Sequence, residues 1–127
     1  MSQPARARNR VDSFRHAFAG LGHVLRSQQN ARLHALASLI VLLIGLWLRV
    51  DRQSWVTLIL AMALVWVTEI LNTALEAIVD LVSPELHPLA KVAKDAGAAA
   101  VLISAIGAAL VGFLVLGPPL GARLFGP

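Results

Sequence analysis

Three long apolar stretches dominate this chain, and a shorter segment ahead of them is apolar on one side only. From Ser13 to Gln29, Phe14, Ala17, Phe18, Leu21, Val24 and Leu25 recur three or four residues apart, while Arg15, His23 and Arg26 fall on other faces. That is the pattern of an amphipathic helix lying in a membrane interface. The stretches 33–48, 55–82 and 96–116 are apolar nearly all round and predict transmembrane helices. The first is short for a bilayer of roughly 30 Å, unless Arg32 and Arg49 snorkel or the preceding helix runs into it.

The breaks between these stretches are chemically plain. Arg49 to Ser54 forms a polar turn with Trp47 and Trp55 on either side, where interfacial aromatics belong. Pro84 and Pro88 predict a break over 83–95, because each proline disfavours helical geometry in the residue before it. Gly117-Pro118-Pro119 is expected to end the last span. Within that span, Ala96, Ala100, Ser104, Ala108 and Gly112 recur every four residues, a face on which helix backbones can approach closely.

One side of the second span violates the apolar pattern. Glu69, Asn72, Thr73, Glu76 and Asp80 share an arc of roughly 100° at 100° per residue. Glu69 follows sixteen uncharged residues and is the deepest acid. A carboxylate in hydrocarbon costs several kcal/mol at least, so a row of them at helical spacing marks a working surface.

Composition agrees with a membrane domain: 57% of the 127 residues are hydrophobic and 14% charged, too apolar for a soluble domain of this size. With no cysteine, thiolate chemistry and disulfides are excluded. The net charge of +4 comes largely from Arg6, Arg8, Arg10, Arg15, Arg26 and Arg32 against Asp12. An arm of this kind joined directly to apolar spans suits anionic lipid headgroups rather than nucleic acid. Eight of the eleven Lys and Arg residues lie in the N-terminal arm and the 83–95 loop, against three in the 49–54 turn and the tail. The positive-inside rule therefore predicts a cytoplasmic N-terminus and 83–95 loop in the cell membrane. Three spans bury little surface alone, which favours a homo-oligomer.

Glu69, Asn72 and Glu76 are expected on the same side of the membrane as Glu85, His87, Lys91, Lys94 and Asp95. Carboxylates with an amide are hard oxygen ligands suited to Mg²⁺. A lysine and free N–H groups at a helix start suit phosphate. Metal, cation and carboxylate base together are the parts of phosphoryl transfer. Plainer roles are open as well: Glu76 and Asp80 as headgroup-level acids paired with Lys91 or Lys94, Asp95 as a helix cap, His87 as a loop residue. A different class of function is an oligomeric channel or proton path lined by Glu69, Glu76 and Asp80, and a third is a membrane scaffold. The cluster at 85–95 separates these, since a pore has no need of Lys94 and His87 beside its acids.

The run from Glu69 through Asn72, Thr73, Glu76 and Asp80, followed by Glu85-Leu86-His87 and Ala90-Lys91-Val92-Ala93-Lys94-Asp95, resembles the prokaryotic diacylglycerol kinase and undecaprenol kinase family. Segments 13–20 and 30–34 resemble its N-terminal motifs, so the likeness covers roughly residues 13–115. It implies a homotrimeric, all-α integral membrane lipid kinase with an interfacial N-terminal helix and three spans, which phosphorylates a lipid hydroxyl with Mg²⁺–ATP at the cytoplasmic face. Carried over by position, Glu69 would be the general base and Glu76 a metal ligand. Asn72, Glu85, His87, Lys94 and Asp95 would line the nucleotide and phosphate site, with His16 where the family often has an aromatic residue near the nucleotide. Gln28 stands where some members carry a second metal-binding glutamate. Two arrangements are open: Gln28 coordinates a metal, or the site rests on Glu76 and the phosphates. The motif Asn30-Ala31-Arg32-Leu33-His34 resembles the undecaprenol kinase branch more than the diacylglycerol branch.

Overall fold

The computed structural model describes residues 9–85 and 87–126, and they form four helices with no strand among them. Arg6 and Arg8 of the basic arm lie outside the described residues. Helix α1 spans Arg10–Ser27, α2 Gln29–Leu48, α3 Arg52–Val82 and α4 Pro88–Phe125. The last three are long and apolar enough to cross a membrane. On α1, Phe14 and Phe18 are about 70% exposed, leaving the apolar face of an interfacial helix free for lipid.

Every helix begins before its expected start. Helix α1 starts three residues early and stops at Gln28, a single extended residue (φ −107°, ψ 121°) whose N–H still bonds to Val24 O at 2.9 Å. Helix α2 begins immediately after it, which supplies the turn that the 33–48 span lacked. The expected 83–95 loop is largely helical: α4 begins at Pro88, because proline at the first helical position loses no bond and His87 caps the end by accepting from Leu89 N. Asp95 is therefore not a cap. Nor does Gly117-Pro118-Pro119 end α4, which continues through both prolines to Phe125. Gly117 has no Cβ to clash with the following ring, and each proline's fixed φ suits the turns that follow it.

Helices α2 and α3 turn sharply at the end remote from α1. Arg49 adopts the left-handed conformation (φ 52°), and its N–H and that of Val50 return to the last carbonyls of α2. Asp51 then caps α3, its side chain accepting from Ser54 N at 2.8 Å. This N–H, with the Ser54 hydroxyl helping, holds the Asp51 carboxyl below the usual carboxylate range. Trp55 lies on Gly45, where an added Cβ would meet the indole at 2.8 Å. Arg123 sits 5.4 Å above the Trp47 ring and ties the end of α4 to the same end of the molecule.

Antiparallel α3 and α4 form the main packing unit. Gly97 lies against Asn72 and Leu75, and Thr68 and Ser104 share a hydroxyl hydrogen bond of 2.7 Å. Trp66 Nε1 donates to Ser38 Oγ at 3.2 Å and holds α2 to α3. In a bilayer such bonds contribute about 0.6 kcal/mol each, so close packing of small residues supplies the rest. Part of the four-residue stripe serves this: Ser104 is buried, while Ala96 and Ala100 face outward. An apolar groove of about 840 Å³ runs down the outside of this pair, lined by Val56, Leu60, Leu64, Ala100, Ile103 and Gly107 among others.

Candidate active site

The acidic stripe of α3 grades from buried to exposed along one helix. Glu69 is 2% exposed and Thr73 is buried; Asn72 and Glu76 are half-buried, and Asp80 is open. Regular α-helix throughout this stretch keeps all five side chains on one face. Thr73 gives its hydroxyl to Glu69 O at 3.0 Å, so it serves the helix rather than the carboxylate.

Glu76 is the hub. Gln28 Nε2 donates to its Oε2 at 3.2 Å and Asn72 Nδ2 donates to its Oε1 at 3.3 Å, one amide on each oxygen. The break between α1 and α2 is what turns Gln28 toward α3, 48 residues along the chain. Asn72 is wedged by Gly97, where any Cβ would overlap Asn72 Oδ1. That oxygen is buried and has no hydrogen-bond partner.

The Glu76 carboxylate, with the Asn72 and Gln28 amides turned to present their oxygens, would make a hard oxygen set. Among the described residues no three His, Asp or Glu side chains come together to hold a metal. Mg²⁺ does not need them, because it binds through one or two carboxylates, waters and substrate phosphates. One carboxylate and two amides, one of them with an orphaned buried oxygen, therefore fit that ion.

Glu69 lies one to two turns deeper. Its Oε2 is buried without a hydrogen-bond partner and faces His34 Nε2 at 3.8 Å, which is likewise buried and unpartnered. This separation exceeds a hydrogen bond. His34, used above only within a family-like motif, is the site residue that sequence reasoning missed. An ionisable side chain one residue inside the expected first span was the available signal.

Residues expected from the neighbouring segments do not join this hub. The register of α3 against α4 sets residues 91–95 beside 76–80, and there Lys94 pairs with Asp80 and Lys91 with Asp95, all near the surface. For Asp80 the plainer reading, an acid paired with Lys94, is the one observed. His16 is exposed on α1. Glu85 is exposed and accepts only through its backbone carbonyl, from Ser83 Oγ at 3.1 Å, and His87 is occupied as the α4 cap.

Comparison with known proteins gives a consistent result. Residues 15–116 match the model of the family described as prokaryotic diacylglycerol kinase. The chain is 43% identical over 115 residues to a diacylglycerol kinase of Synechocystis sp., covering 90% of this chain and 66% of that protein, slightly under two thirds of its length. It is 38% identical over 108 residues to an undecaprenol kinase of Bacillus subtilis, covering 85% of this chain and 88% of that one. Identity to a diacylglycerol kinase of Escherichia coli is 38% over 101 residues, 80% and 83% of the two chains.

Proposed function

This chain belongs to the prokaryotic diacylglycerol kinase family, a family of membrane lipid kinases, and on that premise we propose that it transfers the γ-phosphoryl group of Mg²⁺–ATP to a lipid hydroxyl. The observation that carries this is the pairing, on one helix face, of a buried unpartnered carboxylate at Glu69 with the amide-bracketed carboxylate of Glu76 about two turns further out. A lipid hydroxyl approaches Glu69 within the membrane, and the phosphates approach Glu76 from water.

Glu69 accepts the hydroxyl proton as the lipid oxygen attacks the γ-phosphorus and the electron pair of the breaking bond leaves on ADP. Glu76, with Gln28 and Asn72, would hold Mg²⁺, which supplies charge neutralisation at the phosphates. Lys94, Asp95, Glu85, His87 and His16 would border the nucleotide. Lys94 must then exchange Asp80 for phosphate. Most of the rate enhancement comes from positioning and charge stabilisation in a site with little water.

The orientation we infer has this site at the cytoplasmic face, supported by the Lys and Arg distribution. A homotrimer is supported by how little each subunit buries and by the open groove on α3 and α4. Undecaprenol is the proposed substrate in preference to diacylglycerol, on the strength of the 30–34 motif. The relatives carry both names, so the assay must include both lipids.

The test is transfer of labelled γ-phosphate to undecaprenol and to diacylglycerol, each in mixed micelles, with Glu69→Gln as the blank. Preferential labelling of undecaprenol above the blank is expected. Preferential labelling of diacylglycerol would reverse the lipid choice, and no labelling of either would reject the kinase reading in favour of a channel or scaffold.

A further inference from the structure

Glu69 is almost closed to water. Only 2% of its surface is accessible, and Oε2 has no partner to pass a proton to except the atom it faces, His34 Nε2. The small cavity of about 150 Å³ that His34 lines is walled mostly by Ala37, Val41, Leu58, Met62 and Val65, which cannot carry a proton, and its one hydroxyl, Ser38 Oγ, already accepts from Trp66 Nε1 at 3.2 Å. His34 itself is different: Nε2 is buried, yet about a fifth of the side chain, 19%, is accessible. Nε2 faces the carboxylate, while part of the side chain reaches the exterior.

We propose that His34 is the proton exit for Glu69: the imidazole takes the proton that Glu69 has removed from the lipid hydroxyl and releases it outside, returning the carboxylate to its ionised form for the next turnover. The inference rests on Glu69 being the base. Its balance is simple. The lipid oxygen gains a bond to phosphorus, the bond from phosphorus to the bridging oxygen breaks toward ADP, and the proton passes from hydroxyl to Glu69 Oε2, then to His34 Nε2, then to water. No further reactant is needed. The gap of 3.8 Å is about 0.8 Å longer than an N–H···O hydrogen bond, so a small side-chain movement completes the path. Imidazole suits the task because it takes up and releases protons near neutral pH.

Four proteins test this: the wild-type chain, Glu69→Gln, His34→Ala and His34→Gln, each assayed for lipid phosphorylation in mixed micelles with and without added imidazole. In His34→Ala we expect kcat to fall at least about tenfold, less than the roughly 10²- to 10⁴-fold that a general base itself contributes, with the KM for lipid and for ATP nearly unchanged. Added imidazole should restore much of that kcat. His34→Gln keeps an N–H of similar reach but cannot relay a proton, so it should fold and bind like wild type, stay slow, and gain nothing from imidazole. Wild-type kcat in either His34 variant, with Glu69→Gln inactive, would overturn the relay and leave the base in place. So would a slow His34→Ala enzyme that imidazole cannot rescue. If Glu69→Gln itself turned over normally, the base assignment would fail first and the relay with it.

Discussion

The two ends of the helical bundle are built on opposite rules. At the α2–α3 turn each polar feature closes locally: the last carbonyls of α2 take the N–H groups of Arg49 and Val50, Asp51 takes Ser54, and Arg123 covers Trp47. At the other end three buried polar atoms, His34 Nε2, Glu69 Oε2 and Asn72 Oδ1, have no hydrogen-bond partner among the described residues. Leaving a buried polar atom unpaired costs about 1–3 kcal/mol. Such a cost is tolerated only where something outside the protein supplies the missing bond, so unpaired atoms separate the working end from the structural end.

The strongest way to break that contrast is at Glu69. Glu69→Gln should lower kcat by about 10²- to 10⁴-fold, as loss of a general base does, while thermal stability and assembly in detergent stay near wild type. Next in size is the hub. Glu76→Gln should raise the Mg²⁺ concentration for half-maximal activity at least about tenfold, and Gln28→Ala should raise it less, because a carboxylate is the stronger ligand for a hard cation. A Mg²⁺ titration of both variants checks the order.

Gly97→Ala sharpens the comparison from the packing side. Its new Cβ overlaps Asn72 Oδ1, so Asn72 must swing off Glu76. Activity should drop several-fold with little change in melting temperature. At the other end Gly45→Ala should behave in reverse: its Cβ presses on the rigid Trp55 indole and should cost about 1–3 kcal/mol of stability, with unchanged activity per folded molecule.

The smallest effect belongs to Asp51. Its carboxyl has a lower pKa folded than unfolded, so its stabilising effect is fully present above the unfolded value and fades as pH falls through the folded one. Asp51→Ala should therefore melt slightly below wild type at neutral pH. The difference should vanish under strongly acidic conditions, as thermal scans across that range would reveal.

The number, order and character of the helices could be read from apolar periodicity, because lipid demands a continuous run of the right length. Their ends could not. Proline marks a break, yet Pro88 starts a helix and Pro118 and Pro119 sit within one, since the ring forbids only the bond and contacts behind it. Within the site, the face shared by Glu69, Asn72 and Glu76 followed from 3.6-residue spacing alone. Contacts between helices were beyond such reasoning: Gln28 reaching Glu76, Gly97 wedging Asn72 and His34 facing Glu69 all depend on register and tilt. Lys94 on Asp80 instead of at the hub is a further case, because two lysines and two acids near one helix end allow several pairings.

Helix α3 runs without interruption from Arg52 to Val82, which makes it a ruler for the reaction. Glu69 lies seventeen positions beyond Arg52, about 26 Å at 1.5 Å per residue, close to the thickness of the hydrocarbon layer. Glu76 stands about 10 Å further along. On the proposed reaction, with its first turn anchored at one membrane surface, the helix would measure off the depth of a lipid hydroxyl at the opposite surface and then the height of a phosphate in water. One residue inserted between Arg52 and Glu69 would move both marks by 1.5 Å and rotate them by 100°, turning the carboxylates into lipid without altering a single residue of the site.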